Sequence, residues 1–133
     1  MRSQGVQLTV ILAAVAALLL LRPRAAWALK PGVVLSGSPQ MVKAREIVAG
    51  IWEANGYQLT VTSGMDGDHM EGSRHPGGLA EDYRTHDLPD VTTKKRMAQL
   101  VRRALGPEYD VILEDLGTTN EHLHVEFDPH KGV

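Results

Sequence analysis

Residues 6–21 form an apolar run, interrupted only by Gln7 and Thr9, that follows Met1-Arg2 and stops at Arg22-Pro23-Arg24. Nothing downstream is large enough to bury such a segment in a globular core, so the part that folds must do so without it. The run is about 16 residues long, short of the roughly 20 that cross a bilayer comfortably. A positive start, an apolar stretch and the small residues of Ala26-Trp27-Ala28 have the form of a secretory signal cleaved after Ala28. An uncleaved membrane anchor is the second reading. Either way the expectation is export to the periplasm or the cell exterior, with membrane contact only through residues 6–21.

Removing residues 1–28 leaves 105 of the 133 residues, enough for one domain spanning 29–133. Arg2, Arg22 and Arg24 leave with the leader, so 11 of the 14 basic side chains face all 16 acidic ones, a net charge of −5. That balance argues against a nucleic-acid partner, which calls for a basic excess. The chain has no cysteine, which excludes disulfides, thiolate catalysis and sulfur-ligated metals. A domain this small gains proportionately from a bound metal, and here only His and carboxylate ligands are on offer. All six histidines lie in residues 29–133.

The pattern along that domain predicts its elements. After an extended lead-in over 29–37, Ser38-Pro39 opens a helix as N-cap and first residue. Met41, Ala44, Val48, Ile51 and Trp52 form its apolar face, and Asn55-Gly56 closes it. Gln58 to Ser63 alternates as a strand. Gly64 to Gly78 is rich in Gly, Asp and His, a long loop of the kind that is functional or disordered. Leu79 to Arg84 reads as a short strand. A second helix, capped by Asp90 or Thr92, carries Met97, Leu100, Val101, Ala104 and Leu105 to the Gly106-Pro107 stop. Tyr109 to Leu113 and Leu123 to Phe127 are two more strands. The class is α+β, a small, mostly antiparallel sheet with helices packed on one face.

Strict alternation in His122-Leu123-His124-Val125-Glu126-Phe127 puts Leu123, Val125 and Phe127 on the core side and His122, His124 and Glu126 together on the other. Taken alone, a solvated polar face explains this about as well as a site does. A second cluster, Ser73 to Asp82, places His75 before a Gly-rich turn and Asp82 on the strand that follows; taken alone, an exposed loop His is the plainer reading. Together the clusters offer a His, Asp and His set, His75 and Asp82 from one and His122 or His124 from the other, nitrogen and oxygen donors suited to a zinc site that keeps its fourth position for water.

Those residues carry a resemblance. Ser73-x-His75-x-x-Gly78-x-Ala80-x-Asp82 resembles the Ser-x-His-x-x-Gly-x-Ala-x-Asp signature of zinc D-alanyl-D-alanine carboxypeptidases and L-alanyl-D-glutamate endopeptidases. Glu121-His122-Leu123-His124 resembles that family's second motif. Leu59 to Gly64 and Asp66-Gly67-Asp68-His69 are similar to the related hedgehog signalling domain. The likeness runs from about Gln58 to Asp128.

The resemblance implies a hedgehog/D-Ala-D-Ala-peptidase-like fold and a zinc peptidase acting on peptidoglycan stem peptides, with His75, Asp82 and His124 on the metal. It implies Glu121 as general base, although Glu121 lies an odd number of residues from His124 and faces the metal only if the chain bends there. Should the strand start earlier, His122 is the better-placed base or oxyanion stabiliser. Ser73, Arg74 and His69 are the substrate-binding candidates. The chain departs from the family at Met65-Asp66, where many members carry an Arg; Arg74 and Arg84 are nearby alternatives, though a surface salt bridge is the simpler role for either. Glu81 occupies a position usually apolar in the family.

A calcium site at Asp66, Asp68 and Glu71 is conceivable from its oxygen donors, but lacks a full EF-hand pattern. His86 and His130 read as surface residues, and Glu114-Asp115 as solvated charge at a strand end. A monomer is expected. The non-enzymatic alternative is a hedgehog-like module that holds zinc without hydrolysis.

Overall fold

The computed structural model describes residues 25–67 and 72–129. The apolar run, Asp68, His69, Glu71 and His130 lie outside the described residues. No described helix is long and apolar enough to cross a membrane.

The first helix, α1, spans Pro39–Ala54, and its cap is the expected one: Ser38 Oγ accepts from the Met41 N–H. The second, α2, spans Val91–Leu105, and of the two candidate caps Asp90 takes the role, accepting from the Thr93 N–H at 2.7 Å. Arg102 and Arg103 in its last turn complement the helix dipole. Among the described residues five strands accompany them: β1 Trp27–Leu29, β2 Leu59–Ser63, β3 Ala80–Arg84, β4 Tyr109–Glu114 and β5 His122–Phe127. They form one mixed sheet in the order β1-β2-β3-β5-β4, with β1 parallel to β2 and every other pair antiparallel.

One face of this sheet is covered. Met41, Val48 and Trp52 of α1 and Met97 and Val101 of α2 pack in one buried cluster with Leu59, Val61, Tyr83, Val111, Leu123 and Val125 from the strands. Fully burying side chains of this size contributes about 1.5–3 kcal/mol each, enough for the helices to dictate which strand face turns inward. Alternation then forces Asp82, Arg84, His122, His124 and Glu126 onto the other face. The α+β class with both helices on one side is therefore as expected.

Two features differ from expectation. The first is β1, which the sequence reading divided between leader and lead-in. Trp27, Ala28 and Leu29 pair with Leu59, Thr60 and Val61, so the expected cleavage point after Ala28 falls inside a strand. Trp27 also lies under the Arg45 guanidinium, whose Cζ is 5.4 Å from the ring centre.

The second is Glu81, an acidic residue on the core side of β3. It is fully buried and pairs with Arg45 of α1, whose Nε lies 3.1 and 3.2 Å from the two carboxylate oxygens. Tyr83 donates to Glu81 at 3.0 Å, and Arg45 also donates to the Ser36 carbonyl. The strand stays buried because the charge comes with its full set of donors.

Candidate metal centre

Three elements converge on the open face. Register pairing sets Asp82 of β3 opposite His124 of β5, and the loop before β3 brings His75 over them. The Asp82 Oδ1 lies 2.8 Å from His124 Nδ1 and 3.2 Å from His75 Nε2, and the two imidazole nitrogens are 3.3 Å apart. A tetrahedral ion with ligand bonds of about 2.0–2.1 Å needs donors about 3.3–3.4 Å apart. Two of the three separations lie near that value and the third is shorter, so these two nitrogens and one carboxylate oxygen are a set that could hold a metal ion.

The surroundings aim these donors. Between Val61 and Ser63 the β2–β3 register slips, a bulge that brings Ser63 opposite Asp82 and turns the chain at Gly64. His75 Nδ1–H donates to the Gly64 carbonyl at 2.9 Å, which leaves Nε2 as the donor atom. Gly64 has to be glycine, because a Cβ there would lie 2.2 Å from the Val34 carbonyl oxygen. On the other side of the loop Gly78 adopts φ +75° and offers its carbonyl to the Ser36 and Ser38 hydroxyls. His124 Nε2 meets Glu126 Oε1 at 3.0 Å, a carboxylate–histidine pair behind the donor nitrogen.

Electrostatics follow from this crowding. Burial by itself would raise the Asp82 carboxyl, but hydrogen bonds from His124 and His75 hold it well below the usual carboxylate range. Burial disfavours a charged His124, yet its hydrogen bonds to Asp82 and Glu126 push it up to about 9. His75 is raised too: burial works against its charged form, the Asp82 hydrogen bond and charge prevail, and the charge of His124 opposes it. The site thus concentrates negative potential on two imidazoles that repel each other when both are protonated.

The remaining expected residues divide. The Ser73 hydroxyl accepts from the His75 N–H at 3.2 Å, which shapes the loop under His75. Arg74 bridges Glu126 and Asp128 at 3.4 Å each, the salt-bridge role. Asp66 spends Oδ1 on the Val34 and Gly64 N–H groups, and the other two calcium candidates, Asp68 and Glu71, lie outside the described residues.

Glu121 departs most from its expected role. Its carboxylate is almost wholly buried, accepting from Thr85 Oγ1 at 2.6 Å, from the Gly117 N–H at 3.0 Å and from Lys94 Nζ at 2.9–3.0 Å. Burial would raise its pKa, but these partners lower it to about 2. β5 begins at His122, so Glu121 stands at the loop-to-strand junction, where it lines the groove while Lys94 of α2 holds its carboxylate. Beside the donors stands a pair that the sequence reading named only in part. His122 Nδ1–H donates to the Asn120 carbonyl at 2.7 Å, and His122 Nε2 sits 3.0 Å from Glu114 Oε2 and 3.7 Å from Asp82 Oδ1. Glu114, read from sequence as solvated charge, is the register partner of His122.

His75, Asp82 and His124, with Glu114, Glu121, His122 and Glu126, line one groove of about 710 Å³ on the open face. No protein-family model, no curated protein and no solved structure matches the chain.

Proposed function

We propose that this chain is an exported zinc hydrolase that cleaves amide bonds in peptidoglycan stem peptides, as a D,D-carboxypeptidase or an endopeptidase. The observation that carries the reading is the triangle of His75, Asp82 and His124 donors at 2.8–3.3 Å in an open groove. The motif resemblance over Gln58 to Asp128 supplies the substrate class and the hedgehog/D-Ala-D-Ala-peptidase-like fold. Zinc held by His75, Asp82 and His124 would polarise a carbonyl and lower the pKa of water to about 7.

Within the proposal the chain's own groups divide the work. His75 and His124 are oriented by the Gly64 carbonyl and Glu126, so they present fixed lone pairs. The 3.0 Å contact between His122 Nε2 and Glu114 Oε2 is a hydrogen bond only when a proton lies on it, and the Asn120 carbonyl keeps a second proton on Nδ1. The dyad therefore takes one proton at Nε2 with Glu114 stabilising the imidazolium, and returns it to a leaving amine.

The test is mass spectrometry of muropeptides before and after treatment with purified protein and one equivalent of zinc. D-alanine or stem-peptide fragments are expected, with Glu114→Gln slowed by about 10²-fold or more. No release under any divalent metal would overturn the proposal.

A second reading, a hedgehog-like module that holds zinc without turnover, is favoured by one observation: Glu121, the base implied by the motif, is engaged by Thr85, Gly117 and Lys94. Tight zinc binding with no turnover in wild type, Glu114→Gln or Glu121→Gln would establish it.

A further inference from the structure

Two sets of metal-binding side chains overlap on the open face. His75, Asp82 and His124 form the first; Glu114, His122 and His124 form the second, each residue offering a ligand atom within 4.8 Å of the others in its set. The first set belongs to the centre already described. The second brings in Glu114 and His122, which the first does not use.

The geometry of that pair suits a cation. His122 Nδ1–H donates to the Asn120 carbonyl at 2.7 Å, which leaves the Nε2 lone pair directed at Glu114 Oε2, 3.0 Å away. An unprotonated imidazole nitrogen and an ionised carboxylate are both acceptors, so they repel at this distance unless a proton or a metal ion lies between them. Asp82 Oδ1 stands 3.7 Å from the same nitrogen. Separations of 3.0 and 3.7 Å straddle the roughly 3.3–3.4 Å between donors around a zinc-sized ion.

Strand register holds the two positions side by side. Pairing of β4 with β5 sets Glu114 opposite His122, and pairing of β3 with β5 sets Asp82 opposite His124. A carboxylate has two oxygens, so Asp82 can give one to each position, the kind of bridge that keeps paired ions about 3.5–4 Å apart. Among the described residues the ion-pair partners of Asp82 and Glu114 are imidazoles, not Lys or Arg. An imidazole can exchange its proton for a metal ion, which a permanent cation in its place would exclude.

We propose that Glu114 and His122, bridged through Asp82 to the first centre, form a second divalent-cation site, and that filling it stops turnover. The site is the weaker of the two, because it adds only two side chains of its own and that of Glu114 is 39% exposed. An ion on His122 Nε2 occupies the lone pair that otherwise takes the proton in the dyad. The loss of turnover rests on the hydrolase reading; the cation site does not.

The test is a zinc titration of the full chain, with bound ions counted by native mass spectrometry. The wild type should hold one ion and then, as free zinc rises, two. Glu114→Gln and His122→Gln should both stop at one, whereas Asp115→Asn, which removes a charge from the same groove, should still reach two. With cobalt as the metal, the second equivalent should lose EPR intensity per ion through coupling to its neighbour. Hydrolysis of muropeptides should fall by about 10²-fold between one and two ions per chain, the worth of a proton-transfer group.

A wild type that stops at one ion overturns the proposal. So does a second ion that persists undiminished in Glu114→Gln and His122→Gln, or one that leaves the cobalt signal unchanged. Hydrolysis that holds or rises on the second equivalent overturns it as well. If no muropeptide is cleaved at one ion per chain, the hydrolase reading falls, and the ion count alone decides the second site.

Discussion

Glu81 and Asp82 are consecutive residues of one strand, both carboxylates and both beside cations, yet the two faces of the sheet give them opposite chemistry. Glu81 points under the helices, is fully buried, and is saturated by Arg45 and Tyr83. Asp82 points into the open groove with 14% of its side chain exposed, and gathers two imidazoles whose nitrogens crowd to 3.3 Å of each other. The first arrangement is complete as it stands, and its charges cancel. The second gathers three donor atoms around one open point, where a metal ion could sit. A satisfied buried ion pair marks structure, whereas a carboxylate focusing neutralisable donors on one open point marks a ligand site.

The comparison breaks first, and most, at Glu81. Glu81→Ala leaves Arg45 buried and uncompensated and should cost about 3–5 kcal/mol in denaturant melts, while Arg45→Met combined with Glu81→Leu should recover most of that loss. If the covered side is structural only, the double variant binds zinc as the wild type does.

Zinc should act on the open side alone. At a free concentration about 1,000 times its Kd it should stabilise the wild type by about 4 kcal/mol and leave Asp82→Ala unmoved in the same thermal melt.

Glu121 sharpens the contrast from a third place, because it lines the groove but is held like Glu81. Glu121→Gln should lose about 2 kcal/mol, with zinc stoichiometry intact. Its folded-state pKa of about 2 lies below the ordinary 4.5. The unfolded chain therefore binds the extra proton between those values, and the stability contributed by Glu121 falls as pH drops from 4.5 toward 2. A urea titration across that window should show the fall in wild type and a flatter curve in Glu121→Gln. The smallest effect belongs to Glu126→Gln, which removes support behind His124 and should weaken zinc by about tenfold with little change in the metal-free melt.

Much of this was legible in the chain, and the exceptions have physical causes. The alternation of β5 alone set His122, His124 and Glu126 on one face, and the apolar spacings of α1 and α2 located the covered face. Three-residue β1 was not legible, since a short parallel edge strand has no alternation to display and lies where the small residues read as a cleavage site. Glu114 was passed over because its meaning depends on the β4–β5 register, which sets it opposite a residue eight positions away. The contacts of Glu121 were hidden for a related reason: Thr85 and Lys94, which hold it, are 36 and 27 residues distant. The Gly64 carbonyl that orients His75 is a backbone group, which no side-chain motif announces.

Equilibrium dialysis against zinc, with metal counted per chain by mass spectrometry, tests the centre most directly. The expected result is one tightly held zinc in the wild type and none in His75→Ala, Asp82→Ala or His124→Ala, each still folded by circular dichroism. A wild type that retains no zinc, or an Asp82→Ala chain that retains it undiminished, would contradict the assignment.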